Sequence, residues 1–142
     1  MRIDEACRIM SKPRRIPIPF VGTVTKNSSL TLTRSFRSPV YLKSVIIRFN
    51  LNCADKLQVT MHIGAGGDNS DRKVQDFEDN LLAPTGGDDF FSGDDCSYEF
   101  KELNILIPLN NYFTAYGNNT DLVDPHELKV YPVFEPVEAA RT

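Results

Sequence analysis

The chain has 142 residues, 41% of them hydrophobic and 25% charged, with no tryptophan and three cysteines. That is the length and balance of one ordinary globular domain with enough apolar material for a core. It excludes a membrane-spanning helix, since no run of eighteen apolar residues occurs, and a cysteine-built framework, since Cys7, Cys53 and Cys96 are odd in number and far apart. The first fifteen residues, MRIDEACRIMSKPRR, have no apolar stretch of leader type. An intracellular product with reduced thiols is expected.

The net charge of −3 conceals a division. Residues 1–50 hold ten Lys and Arg against two Asp and Glu, a balance of +8, and residues 51–142 hold six against seventeen, a balance of −11. Charge divided this way speaks to partners: nucleic acid at the basic part, or other copies of the chain, basic part to acidic part.

In chain order, Ile3, Ala6, Cys7, Ile9 and Met10 share a helical spacing that Pro13 ends, so a short helix is expected at the start. IPIPFVG follows, where Pro17 and Pro19 alternate with Ile16, Ile18 and Phe20. This is extended chain too rich in proline for a central strand, hence an arm or an edge. From Val21 the pattern is β. SSLTLTRSF alternates Leu30 and Leu32 with Thr31 and Thr33. In PVYLKSVIIRFNL, Val40 and Leu42 are out of phase with Val45, Ile47 and Phe49, which predicts a bulge near Lys43–Ser44. KLQVTMHI sets Leu57, Val59, Met61 and Ile63 against Lys56, Gln58, Thr60 and His62. The short link NLNCAD between these two strands predicts an antiparallel pair.

Residues 64–97 are polar and glycine-rich, with a short strand or helical turn expected around Phe77, Leu81 and Leu82. β-signal returns in SYEFKELNILIPL. Tyr98 and Phe100 share one phase and Leu103, Ile105 and Ile107 the other, so a second bulge is expected near Lys101–Glu102. NYFTAY reads as a strand, GNNTD as a turn, and ELKVYPVFEP as a last strand with Leu128, Val130 and Phe134 in phase. The expected organisation is an N-terminal arm over 1–20, an all-β antiparallel sandwich of about eight strands over 21–136, and a tail over 137–142. A jelly roll is the preferred arrangement.

Residues 86–95, GGDDFFSGDD, repeat Gly-Asp-Asp around two phenylalanines. They are the most acidic point of a segment, residues 68–95, with nine carboxylates against Arg72 and Lys73. Asp88, Asp89, Asp94 and Asp95 are a candidate calcium set, because calcium takes six to eight oxygens and the glycines let carbonyls turn inward. No EF-hand pattern is present, and GGDNSDR lacks its closing glutamate. A solvated turn and a surface for a basic partner are the alternatives. Two adjacent aromatics are costly in water, so at least one of Phe90 and Phe91 is expected to pack on the body or on a neighbour. The preferred reading is a contact loop, an apolar anchor with a charged rim. The candidate partner-binding residues are Arg14, Arg15, Pro17, Pro19, Phe20, Phe90 and Phe91.

Arg2, Arg8, Lys12, Arg14, Arg15 and Lys26 give residues 1–26 a phosphate-neutralising potential. They are sparse, and no aromatic precedes Phe20 to stack a base, so a protein partner is preferred to nucleic acid. Catalysis is hard to assemble. His62 is expected on a polar strand face, and His126 in a turn beside Glu127, a carboxylate–imidazole pairing that can move a proton. No GxSxG, HExxH, P-loop or GxGxxG motif occurs, and GAGGDNS resembles a phosphate nest in glycine content alone. A non-enzyme is expected. The sequons at Asn27 and Asn118 have meaning only in a secreted product.

The arm RRIPIPF, the run of short strands from TVTKNSSLTLT to ELKVYPVFEP and the long loops together resemble the small single-jelly-roll proteins that build or decorate virus and phage particles. The resemblance covers most of the chain and rests on layout, not on a diagnostic motif. It implies a structural protein of the virion, made in the host cytoplasm, whose arm crosses onto copies of itself or other capsid proteins while its loops face outward or meet them. A reading from another class is a ligand-binding sandwich of carbohydrate-binding type, with Tyr98, Tyr112 and Tyr116 as contact residues and a structural calcium in the acidic loop. The lack of tryptophan counts against it. Two histidines are too few for a cupin-like metal enzyme.

Overall fold

Apolar residues at every second position put one face of each segment inward, and this alternation sets the strands. The computed structural model describes residues 14–77 and 90–137. The expected N-terminal helix, the Leu81–Leu82 segment and residues 138–142 of the tail lie outside the described residues. Ten strands form among those described: β1 (Ile16–Pro17), β2 (Phe20–Val24), β3 (Ser28–Ser35), β4 (Val40–Phe49), β5 (Leu57–Gly64), β6 (Arg72–Lys73), β7 (Cys96–Phe100), β8 (Ile105–Ile107), β9 (Tyr112–Asn119) and β10 (His126–Pro136). A 3₁₀ turn covers Val74–Asp76.

Two antiparallel sheets face each other. In the first, β1 and β2 lie end to end along β10, β10 pairs with β4, and β7 and β8 lie end to end along β4. In the second the order is β3-β9-β5-β6. With β1/β2 and β7/β8 each taken as one interrupted strand, there are eight strand positions and the pairing nests. The first position pairs with the last, the second with the seventh, the third with the sixth, and the fourth with the fifth.

The expected β4–β5 pair does not form, because the two strands belong to opposite sheets. Their link carries three left-handed residues, Asn52 (φ 76°), Ala54 (φ 49°) and Asp55 (φ 60°), and these swing the chain across the sandwich. The inward residues of both strands then meet in the core: Leu42, Val45, Ile47 and Phe49 against Leu57, Val59, Met61 and Ile63, all buried. Phe113 links the sheets, its ring 5.1 Å from Phe20 and 5.4 Å from Phe134, both in edge contact.

The phase slip in β4 is a bulge: Val133 pairs with Ser44 and Phe134 with Leu42, so Lys43 is the extra residue. The second slip is a full break between β7 and β8, with Glu102 at φ 58°. The two irregularities face each other, joined by Leu103 N–H to the Lys43 carbonyl at 2.9 Å and by Lys43 Nζ to Asn104 at 3.0 Å. Pro132 lies inside β10, where a proline removes a ladder bond. It falls opposite the gap between β1 and β2, and its carbonyl still accepts from Ile18 N–H at 3.2 Å. Where β2 passes β3 the sheets come close, and a Cβ on Gly22 would stand 2.6 Å from Leu30 Cδ2.

Two boundaries differ from the sequence reading. Residues 117–119, expected to turn, extend β9, because Gly117 packs against Leu128 and the buried Asn119 side chain is satisfied by backbone carbonyls. Residues 16–20, read as an arm or an edge and placed outside the 21–136 sandwich, form an edge of the first sheet by pairing with β10 of their own chain.

Candidate functional site

Four loops gather at one end of the sandwich: residues 25–27, 50–56, 90–95 and 120–125. Backbone and side-chain hydrogen bonds run between them. Asn27 N–H donates to the Asp121 carbonyl at 2.8 Å, Asp95 N–H to Asn50 at 3.1 Å, and Asp55 N–H to Gly93 at 3.1 Å. Thr120 gives both its N–H and its hydroxyl to the Lys56 carbonyl, at 2.9 and 2.8 Å. Asn119, buried beneath them, donates to the carbonyls of Val24 at 3.1 Å and Asp124 at 3.0 Å, and accepts from Asp121 N–H at 2.9 Å.

Asp121 is the hub of the last loop. One carboxylate oxygen accepts from Val123 N–H at 2.9 Å and Asp124 N–H at 3.2 Å, and the other from His126 Nε2 at 2.9 Å. The Val123 amide, then the imidazole and the Asp124 amide, pull the Asp121 pKa down to about 2. The sequence reading paired His126 with its neighbour Glu127. Glu127 instead lies 3.6 Å from Lys129, and Asp121 takes the ring nitrogen. The signal was present as an acid in a turn five residues before the histidine, but Asp124 and Glu127 compete for it in the sequence. The bond fixes the turn against β10.

Beside this dyad lies a cavity of about 430 Å³ lined by Thr23, Asn50, Leu51, Asn52, Asp124, Pro125, His126 and Glu127. Three large apolar side chains stand out from the same loops: Leu51 at 64% exposure, Leu122 at 71% and Val123 at 73%. Asp55, Asp94, Asp95 and Asp124 are exposed on the same loops, with Lys26 and Lys56. Apolar side chains on loops with an excess of carboxylates suit a partner that brings basic and apolar groups together.

The candidate residues divide. Phe91 packs on the body, as one of the two phenylalanines was expected to: it is buried, exchanges two backbone bonds of 2.8 Å with Val59 and lies 5.5–5.6 Å from the rings of Phe100 and Tyr98. Phe90 is half-exposed. Phe20 is also core, against Phe113, which removes it from the partner-binding set. Arg14, Arg15, Pro17 and Pro19 are exposed: Arg14 and Arg15 lead into β1 at the opposite end, where Arg15 lies 3.6 Å from Glu135, and Pro17 and Pro19 lie on the sheet edge along β10. Asp94 accepts from Ala54 N–H at 3.1 Å, and Asp95 holds a left-handed turn at φ 47°. The calcium set also needs Asp88 and Asp89, which lie outside the described residues. Among the described residues no group of three or more His, Cys, Asp or Glu is placed to hold a metal.

The three tyrosines form no single platform. Tyr98 bonds the Ser92 carbonyl at 2.7 Å in the first sheet, and Tyr112 and Tyr116 stand on β9 in the second. His62 is buried, not solvent-facing as expected. Its Nδ1–H donates to the Asp71 carbonyl at 3.1 Å and its Nε2 accepts from the Thr60 hydroxyl at 2.7 Å, and burial lowers its pKa. GAGGDNSD does form a nest, with Gly67 at φ 66°, but the anion it cradles is its own. The N–H groups of Gly66, Gly67 and Asp68 converge on the Asp71 carboxylate at 3.1, 2.8 and 3.4 Å.

No family model and no curated protein matches the chain. Among solved structures it is similar to a chain of infectious bursal disease virus strain Gx, at 13% identity over 92% of this chain, with a TM-score of 0.42. It spans 33% of that viral chain. The CBM36-1 domain of a multidomain xylanase from the hindgut metagenome of Trinervitermes trinervoides matches at 14% identity, over 89% of this chain and 100% of that one, with a TM-score of 0.42. A CocE/NonD family hydrolase from Staphylococcus aureus matches at 8% identity, over 89% of this chain and 37% of that one, with a TM-score of 0.41. These are weak resemblances of β-sandwich architecture, to a virus protein, a CBM36-1 domain and a hydrolase alike.

Proposed function

We propose that the chain is a non-enzymatic structural subunit of a virus or phage particle, built as a jelly roll. The nested pairing supports the fold: a long hairpin rolled on itself pairs first with last, second with seventh, third with sixth and fourth with fifth, then joins the last position to the third and the seventh to the fourth.

The observation that carries the assembly role is the polarity of the sandwich. One end shows Leu51, Leu122 and Val123 on loops that also expose Asp55, Asp94, Asp95 and Asp124, with Lys26 and Lys56. The other end carries Arg14, Arg15, Arg34, Arg37, Arg72 and Lys73, with Glu135 and the Asp68 and Asp71 of the 64–71 loop among them, so cations are in excess there. Strand β10 runs from one end to the other, about 35 Å at the usual strand rise. Opposite ends of two copies attract, and such contact is head to tail, the kind that builds rings and open lattices.

Sedimentation of the whole chain tests this. Large assemblies are expected at low salt, dispersing at about 1 M salt, where the Debye length is about 3 Å. Sedimentation that ignores salt overturns the head-to-tail role. The cavity beside His126 favours a second reading, a ligand-binding sandwich of carbohydrate-binding type. Raised melting temperature with soluble oligosaccharides would support it.

A further inference from the structure

We propose that two copies of the chain pair edge to edge through β3, in antiparallel register with Thr31 opposite Thr31, to make one continuous sheet. This surface is the side of the sandwich, not its loop end, and the proposal stands whether or not the chain belongs to a particle.

An open strand edge is a template for another strand, and proteins blunt such edges with prolines, breaks, charges or shortness. Three of the four edges here are blunted. The β1/β2 edge carries Pro17 and Pro19 and is interrupted between them and Phe20. The β7/β8 edge is broken over residues 101–104, where Lys101 and Glu102 sit and Glu102 is at φ 58°. The β6 edge is two residues long, and both are basic.

The β3 edge is neither short nor broken and carries no proline. All eight residues Ser28–Ser35 pair with β9 in unbroken register, with no bulge and no proline. Among the described residues no strand pairs with its other side. Its one charged residue, Arg34, lies next to its end. A groove of about 230 Å³ runs beside it, between β2 and β3, with Ile18, Leu32 and the 45%-exposed Val21 along it.

The occupant follows from the sequence of the edge, which complements itself. Antiparallel pairing centred on Thr31 sets Leu30 opposite Leu32, Ser29 opposite Thr33 and Ser28 opposite Arg34. Leu30 and Leu32 are the half-buried inward residues, and Ser29, Thr31 and Thr33 the outward ones, so apolar meets apolar inside and hydroxyl meets hydroxyl outside. The two Arg34 residues then stand about 20 Å apart at a rise of about 3.4 Å per residue, beyond the Debye length of about 8 Å at physiological salt. Such a contact is two-fold and closes at the dimer.

The test is light scattering across a concentration series in about 1 M salt, where head-to-tail contacts are screened to about 3 Å. The chain should be a dimer, and in a second series at about 0.15 M salt, where a Debye length of about 8 Å leaves directly opposed charges unscreened, Thr31→Lys and Thr31→Glu should each weaken it by up to about fivefold. An equimolar mixture of the two variants should restore the dimer. Unchanged melting temperatures of the variants separate lost pairing from lost folding. A monomer at sub-millimolar concentration overturns the proposal, as does a dimer that neither variant weakens. A monomer that becomes a dimer only when residues 1–13 are removed also overturns it, since the chain would then cover its own edge. Salt-dependent particle assembly fails or succeeds independently of these outcomes.

Discussion

The loop of residues 64–71 and the loop of residues 90–96 have the same chemistry, glycines and aspartates, and use it in opposite ways. In the first, Asp71 accepts from amides three to five residues before it, so the loop is held from within. In the second, Asp94 reaches an amide forty residues away, and Phe91 pins the chain to β5 from inside the core. Composition marks both as candidate ligand loops. In each loop one carboxylate, Asp71 in the first and Asp94 in the second, is engaged by protein N–H groups.

The sharpest way to break the comparison is Phe91→Ala. Loss of a fully buried ring costs about 3–5 kcal/mol, read as a lower urea midpoint, and should free residues 90–95 to proteolysis. A surface anchor would leave stability unchanged. Asp71→Ala comes next, at about 1–3 kcal/mol, because it strands three converging amides. Asp94→Ala should cost less, about 0.5–1 kcal/mol, for one bond at an exposed site. Equal losses for the two aspartates would show that the self-held loop is no more dependent on its acid than the pinned one.

The smallest effect is one of pH. Burial lowers the His62 pKa below its ordinary 6.5, and Asp71 holds the ring from the first loop. Just below pH 6.5 the unfolded chain therefore binds more protons than the folded one, and stability rises with pH. The contribution is complete above about 6.5 and lost as pH falls toward the lowered value. Melting temperature should drop over that window, and His62→Gln should flatten the drop. The Asp121 carboxylate, lowered to about 2, contributes above its ordinary 3.8 and is lost only as pH falls through about 2. Acid should therefore disturb the His62 side before the Asp121 turn.

Local pattern carried the sequence reading where one strand decides the outcome. The β4 phase slip became the Lys43 bulge, and the alternation in β5 matched its buried face through Leu57, Val59 and Met61. It failed where a distant partner decides. Pairing β4 with β5 looked natural from a six-residue link, yet three left-handed residues send the chain to the other sheet. Phe20 looked available because its partner Phe113 is remote in sequence, whereas Phe91 was expected to pack on the body or on a neighbour and packs on the body, against Tyr98 and Phe100. His62 looked polar-facing because the loop that covers it lies outside its own strand. Asp121 was hidden among nearby acids, since only geometry singles out the one that reaches the imidazole.

Strand β10 lies between β1/β2 and β4, segments drawn from the first third of the chain. During synthesis those segments leave the ribosome long before their shared neighbour. Until residues 126–136 emerge, β4 has an open backbone on the side that β10 will take, and β2 has no partner in its sheet. Non-local pairing of this kind slows folding and leaves strand edges exposed to other chains. The nascent protein thus passes through a stage in which its largest sheet lacks its middle, and holding that stage apart from its neighbours is a task for chaperones.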